Sequence, residues 1–133
     1  MTTMNDTVHE ALKNEVLATY TAYLKAFNAS DIHALDNFMQ YPIAYIENNR
    51  AALVDVYPYN PADLKAAKQW YATTDANFEV VFATTEKAHV VLRSAKRVRA
   101  DGSLIENVSV FYALTRTLSG WKFIAISDIT EPA

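Results

Sequence analysis

Hydrophobic positions in the first quarter of the chain repeat with the period of an α-helix. Most are three or four residues apart, and they are Val8, Ala11, Leu12, Val16, Tyr20, Tyr23, Leu24 and Phe27. This spacing predicts a long amphipathic helix with one apolar face. After a polar break at residues 28–31, Ser30 or Asp31 is predicted to cap a second, short helix that carries Ile32, Leu35, Phe38 and Met39 on one side.

The middle of the chain predicts a hairpin and a third helix. Tyr41-Pro42 is expected to end the second helix, because proline disfavours helical geometry in the residue before it. Residues 43–47 and 52–56 are rich in β-branched and aromatic side chains, which predicts two short strands. Asn60-Pro61 predicts a capped third helix that ends near Thr73, with an apolar stripe of Leu64, Ala67, Trp70 and Tyr71.

The second half of the chain has the pattern of β-strands. Residues 77–85, 88–100, 104–117 and 121–130 are predicted strands, with turns at Asp101-Gly102 and Ser119-Gly120. The order of elements predicts one α+β domain over residues 1–133. In it, three helices from the N-terminal half pack on a curved, mainly antiparallel sheet of about six strands.

Both faces of the last two predicted strands are apolar. Strict alternation places Phe111, Ala113, Phe123 and Ala125 on one face, and Val110, Tyr112, Leu114, Ile124 and Ile126 on the other. Because three helices can cover only one face of the sheet, we expect the second face to pack against another copy of the chain. The pattern therefore predicts a homodimer.

Composition narrows the classes of function. Fifteen acidic and twelve basic side chains give a net charge of −3, which argues against a nucleic-acid partner. The chain has no cysteine, and His9, His33 and His89 are scattered, so we expect no metal site and no cofactor. Residues 1–10 are polar and no apolar run has the length of a membrane span, so we expect a cytoplasmic protein without a membrane partner.

The order of the predicted elements is accompanied by two local motifs. Residues 23–31 read Tyr-Leu-Lys-Ala-Phe-Asn-Ala-Ser-Asp, and the last strand begins Gly120-Trp121-Lys122-Phe123. With these motifs the chain resembles the NTF2-like superfamily over nearly its whole length. That group includes ketosteroid isomerases, SnoaL-like polyketide cyclases and scytalone dehydratase-like enzymes, besides many pocket proteins of unknown activity. The resemblance implies a cone-shaped α+β barrel whose partner is an apolar small molecule.

The resemblance also implies a catalytic pair. Residues 23–47 are similar, without a gap, to the ketosteroid isomerase segment that holds a helix tyrosine and a general-base carboxylate. It implies that Glu47 is the base and that Tyr23 donates a hydrogen bond to an enolate oxygen. The position of the acid that assists this tyrosine falls on Ala113. The alternative is structural, with Tyr23 packed in the core and Glu47 facing water at a strand end.

Further candidate residues surround this pair. The side chains expected to bind the ligand are Tyr20, Phe27, Tyr57, Trp70, Ser109, Phe111, Ala113, Phe123 and Ser127. Asp128 is a candidate second carboxylate, although its predicted face, shared with Ile124 and Ile126, favours the rim of the dimer interface. The segment from Arg93 to Arg99 either clamps an anion or, as is commoner for a charged strand end, is solvated.

Three hypotheses for function remain. The first is a cofactor-independent isomerase, cyclase or dehydratase that uses Glu47 and Tyr23. The second, favoured by the missing acid at Ala113, is a protein that binds a hydrophobic metabolite without converting it. The third is a dimerisation scaffold whose interior is filled by its own side chains.

Overall fold

The computed structural model describes residues 4–133, and residues 1–3 of the polar N-terminal segment lie outside this range. The elements follow one another as α1 (Met4–Asn28), α2 (Ile32–Asn37), β1 (Met39–Ile46), β2 (Ala51–Val54), α3 (Pro61–Lys68), β3 (Ala72–Ala83), β4 (Lys87–Val98), β5 (Leu104–Thr117) and β6 (Gly120–Pro132). This order confirms the predicted α+β class.

The strands form one six-stranded sheet in the order β2-β1-β6-β5-β4-β3. β1 and β6 are parallel, and the other neighbouring strands are antiparallel. The mainly antiparallel sheet of six strands is therefore confirmed. β2 and β3 are edge strands that do not pair with each other, so the sheet is open where a closed barrel was expected.

Helix α1 buries one stripe of side chains against the sheet, as the helical period predicts. The buried members of this stripe are Leu12, Val16, Tyr20, Tyr23 and Phe27. The Tyr23 ring lies 4.6 Å from that of Phe123 on β6. Since each large apolar side chain contributes about 1.5–3 kcal/mol when fully buried, this stripe is the main attachment of α1 to the sheet.

Helix α2 ends earlier than predicted. The Asp31 side chain caps its start by accepting a hydrogen bond from Ala34 N at 3.2 Å, as expected. The helix closes at Asn37, and Phe38 O then accepts a hydrogen bond from Phe123 N at 2.9 Å. Pairing with β6 thus begins before the proline, so Met39 and Tyr41-Pro42 lie within β1.

Helix α3 is also shorter than predicted. Asn60 caps it as expected, but the helix ends at Lys68, whereas the sequence predicts an end near Thr73. Gln69 adopts the left-handed conformation (φ 58°), a common way for a helix to stop. The chain then places Trp70 in the core and leaves Tyr71 exposed, so these two residues do not share the predicted apolar stripe.

Irregularities in strand pairing overturn part of the predicted face assignment. On β5 and β6, Ala113 pairs with Ala125 but the next residue, Leu114, pairs with Phe123. Ile124 is therefore an extra residue, and such a β-bulge reverses the side to which the following side chains point. Phe123 is fully buried against α1, on the same side as Tyr112 and Ile126, which were predicted for the dimer face, and it does not share a face with Phe111 as strict alternation predicted.

A second bulge lies in β4. Leu92 pairs with Val110 and Ala95 pairs with Val108, so one more residue separates the partners on β4 than on β5. Side chains that face α1 are even-numbered before this bulge and odd-numbered after it. Arg97 consequently points into the core and is only 7% exposed, although a solvated arginine was the favoured prediction.

Candidate functional site

A small cavity, called here the core cavity, lies between α1 and strands β3 to β5. Its lining is mostly aromatic and aliphatic, and consists of Tyr23, Leu24, Phe27, Tyr59, Thr73, Leu92, Arg97, Val108, Val110 and Tyr112. Its volume of about 30 Å³ has room for one or two water molecules. The interior is therefore tightly packed around a partly polar hollow.

Buried tyrosine hydroxyls form pairs around this cavity. The hydroxyls of Tyr23 and Tyr57 are 2.5 Å apart, and Tyr20 donates to the hydroxyl of Tyr112 at 3.3 Å. Burial raises the pKa of Tyr20, Tyr23 and Tyr57 well above the usual range, and that of Tyr112 to about 12. All four hydroxyls thus stay protonated at neutral pH, and within each pair one hydroxyl donates to the other.

A buried ion cluster borders the core cavity at Arg97. The Arg97 Nη1 donates to Glu106 Oε2 at 2.6 Å, and Lys68 Nζ donates to Glu106 Oε1 at 2.8 Å. The centre of the guanidinium group lies 5.0 Å from the centre of the Trp70 ring. Burial raises the pKa of Glu106, but the hydrogen bonds from Lys68 and Arg97 outweigh it and lower the pKa overall. Two cations therefore share one carboxylate.

Beside this cluster, two residues that line the core cavity have a donor without a partner. Arg97 Nε and Thr73 Oγ1 are buried and make no hydrogen bond to the side chains of residues 7–133 or to the described backbone. Thr73 and Arg97 pair directly across β3 and β4, and both line the core cavity. The sequence pattern did not predict this juxtaposition, because it predicts a helix end near Thr73 and a solvated segment from Arg93 to Arg99. The neighbouring Arg93 is indeed exposed and pairs with Glu79.

A second, polar pocket opens beside β1 and β6. It is lined by Tyr45, Glu47, Asn48, Asn49, Asp128 and Thr130, and its volume is about 330 Å³. The Glu47 side chain is 45% exposed, and its Oε1 accepts a hydrogen bond from Arg50 Nη2 at 3.0 Å. Asp128 pairs with Val110, so it lies on the α1 side of the sheet and not on the predicted dimer face.

The tyrosines Tyr45 and Tyr59 separate the polar pocket from the core cavity. Tyr45 lines the first and Tyr59 the second, and their rings pack edge to face with centres 5.6 Å apart. Burial, followed by the nearby Asp128 carboxylate, raises the pKa of Tyr59. In this arrangement Tyr23 and Glu47, the pair implied by the resemblance, do not line a common cavity.

The other predicted ligand residues divide between the two faces of the sheet. Tyr23 and Phe27 line the core cavity, and around it Tyr20, Tyr57, Trp70 and Phe123 pack in ring contacts with one or other of them. Ser109, Phe111, Ala113 and Ser127 do not line it, because alternation turns them away from α1. An acid at Ala113 would therefore point away from the core cavity.

Among the side chains of residues 7–133, no cluster of three or more histidine, aspartate and glutamate side chains is arranged to hold a metal ion. Residues 4–133 contain no helix long and apolar enough to span a membrane.

A long helix packed on an open six-stranded sheet, with a cavity between them, is the architecture of the NTF2-like fold. A family model described as "NTF2-like protein (DUF6841)" matches residues 14–130, and the chain belongs to this family. No curated protein sequence matches the chain.

Solved structures share the fold at low sequence identity. A conserved protein from Planctomyces limnophilus is 15% identical, with a TM-score of 0.68 over 93% of this chain and 99% of that one. A putative dehydratase of the NTF2-like family from Streptomyces avermitilis is 14% identical, with a TM-score of 0.62 over 93% and 99%. A ketosteroid isomerase-like protein from Erwinia carotovora atroseptica is 20% identical, with a TM-score of 0.58 over 92% and 96%. These likenesses establish the fold and leave the activity open.

Proposed function

We propose that the protein binds a small, largely apolar molecule in the core cavity. The observation that carries this proposal is the lining of that cavity, in which aromatic and aliphatic walls surround the buried, charged Arg97. Ligand sites typically combine an apolar wall with a few fixed polar groups. The Tyr23 hydroxyl is already paired with Tyr57, so it serves as part of the wall.

Binding requires some side chains to move, because the cavity of about 30 Å³ is far smaller than most ligand sites. Leu24 and Tyr59 line it and are only half-buried, whereas Tyr20 and Phe123 behind it are completely buried. We therefore expect the ligand to displace Leu24 and Tyr59 and to leave the tyrosine and phenylalanine core in place.

A ligand screen by NMR, with thermal shift as a second readout, tests the proposal. We expect apolar compounds to perturb signals of Leu92, Val108 and Val110, and Val110→Phe to abolish this binding by filling the cavity. Val81→Phe adds the same ring at an exposed position of β3 and is the matched control. If no compound binds, the proposal fails and the dimerisation scaffold becomes the better hypothesis.

We also propose that the protein is a homodimer whose copies pack through the sheet face turned away from α1, called here the open face. This face includes the exposed side chains of Ile46, Phe111 and Ile129. A second copy is the occupant we favour, because within the described chain the helices leave this apolar face uncovered.

Acid–base catalysis is a second candidate function. Its support is that Glu47, the base implied by the resemblance, and Asp128 line one polar pocket next to the core cavity. Two carboxylates in one pocket suit general acid–base work. Product analysis with compounds that bind the wild type would test it: Glu47→Gln and Asp128→Asn should each abolish turnover while binding persists. Turnover that survives both changes would exclude this mechanism.

A further inference from the structure

We infer that the Arg97 end of the core cavity binds the carboxylate of a small organic acid. This inference rests on the proposed binding function and specifies the chemical class of its ligand. It starts from the two unpartnered donors, Arg97 Nε and Thr73 Oγ1, which belong to residues paired directly across β3 and β4.

Leaving buried donors unpaired is costly. Each buried polar group without a hydrogen bond destabilises a folded protein by about 1–3 kcal/mol. Arg97 is more than nine-tenths buried, and nothing within the described residues accepts from its Nε. A ligand oxygen at this end of the core cavity would satisfy both Nε and the Thr73 hydroxyl.

The charge of the cluster selects an anion. Lys68 and Arg97 are cationic and share the single carboxylate of Glu106, so the cluster carries one excess positive charge. The Lys68 side chain is 38% exposed, but Arg97 is buried, so its incompletely compensated charge is unfavourable, and a singly charged anion removes the excess. Burial raises the pKa of the Tyr112 hydroxyl to about 12, and the hydrogen bond with Tyr20 and the charge of Arg97 oppose that rise.

The shape of the Arg97 surroundings selects a carboxylate. Glu106 accepts from Nη1, and the Trp70 ring lies on the guanidinium group, which leaves the edge that carries Nε. Guanidinium edges hold planar carboxylates through parallel hydrogen bonds. The remaining walls, which include Leu24, Val108 and Val110, are apolar and suit a hydrocarbon body more than an inorganic anion.

The test pairs each acid with its uncharged amide, using benzoate with benzamide and hexanoate with hexanamide. Affinities are measured by titration calorimetry for the wild type, Thr73→Val and the control Thr74→Val, whose side chain is exposed. We expect the acids to bind at least tenfold more tightly than their amides. Thr73→Val should weaken binding of the acids about tenfold, and Thr74→Val should not change it.

Thr73→Val is the informative variant because it keeps the Arg97–Glu106 pair and removes a hydroxyl that has no partner in the part of the chain that the structure describes. It should therefore fold with unchanged or slightly raised stability. Equal affinities for acid and amide, or acid binding unaffected by Thr73→Val, would overturn the inference and leave apolar binding intact. If neither acids nor amides bind, and the wider apolar screen is also negative, the proposed binding function itself fails.

Discussion

Arg97 and Glu106 face each other across β4 and β5, and the Arg97 Nη1 donates to Glu106 Oε2 at 2.6 Å. Both side chains are more than nine-tenths buried, and Lys68 at the end of α3 supplies a second hydrogen bond to the same carboxylate. The bond from Lys68 therefore links α3 to the sheet, and the Arg97–Glu106 pair fixes the guanidinium group at the border of the core cavity.

Removing the charge of Glu106 should destabilise the protein strongly. Glu106→Gln leaves two cations without their anion, and breaking a buried pair in this way costs about 3 kcal/mol or more. Urea denaturation followed by circular dichroism measures the free energy of unfolding. The control is Glu79→Gln, which disrupts the exposed pair with Arg93 and should cost less than about 1 kcal/mol. Equal losses in the two variants would contradict this account of Glu106.

The same carboxylate predicts how stability depends on pH. Glu106 has a lowered pKa in the folded protein, so the unfolded chain binds its proton more readily. Its stabilising contribution is therefore complete above the ordinary value of 4.5 and is lost as the pH falls from there through the folded pKa. Melting temperatures of the wild type and Glu106→Gln should differ at pH 7 and converge in acid. A difference that does not shrink as the pH falls below 4.5 would contradict the assignment.

The hydroxyl pair of Tyr23 and Tyr57 should show strong coupling. Tyr23→Phe leaves the Tyr57 hydroxyl buried without its partner and should lower the free energy of unfolding by about 1–3 kcal/mol. Tyr57→Phe leaves the Tyr23 hydroxyl unpaired in the same way and should cost a similar amount. The double variant removes both hydroxyls and should lose less free energy of unfolding than the two single losses combined. Tyr71→Phe, at an exposed position, is the control and should be neutral. Additive losses would show that the two hydroxyls do not interact.

Local signals in the sequence predicted much of the fold. The helical period of α1, the caps Asp31 and Asn60, and the turn residues near Gly102 and Gly120 depend on neighbours close in the chain. Such features follow from backbone geometry and short-range hydrogen bonds. They predicted the order of the elements, and they placed the ends of α2 and α3 a few residues too late.

The candidate site could not be predicted in the same way, because it depends on two bulges. Strict alternation holds only until an extra residue enters a strand, and after that point the faces are exchanged. The bulge in β4 brings Arg97 into the core, and the one in β6 places Phe123 and Asp128 on the same side of the sheet, toward α1, where strict alternation would put them on opposite sides. The sequence contains no local mark of either bulge, since both arise from pairing with a distant strand.

The bulges also determine which side chains are free for a partner copy. Phe111 on β5 lies on the open face, is 39% exposed and packs against His89 at a ring-centre distance of 5.2 Å. In a symmetric dimer each interface contains this residue twice, so Phe111→Asp removes two rings and introduces two charges. If each ring contributes about 1.5 kcal/mol to the free energy of dimerisation, the loss of both raises the dimer dissociation constant about a hundredfold.

Size-exclusion chromatography with light scattering at micromolar concentration measures this effect. We expect a dimer for the wild type and a folded monomer for Phe111→Asp. Leu118→Asp places the same charge in the exposed turn between β5 and β6 and should remain a dimer, because that turn lies at the end of the sheet. A monomeric wild type, or a dimer unaffected by Phe111→Asp, would mean that the open face is not the interface. Because Phe111 and the core cavity lie on opposite faces of one sheet, the monomeric variant should still bind the ligand, which separates assembly from recognition.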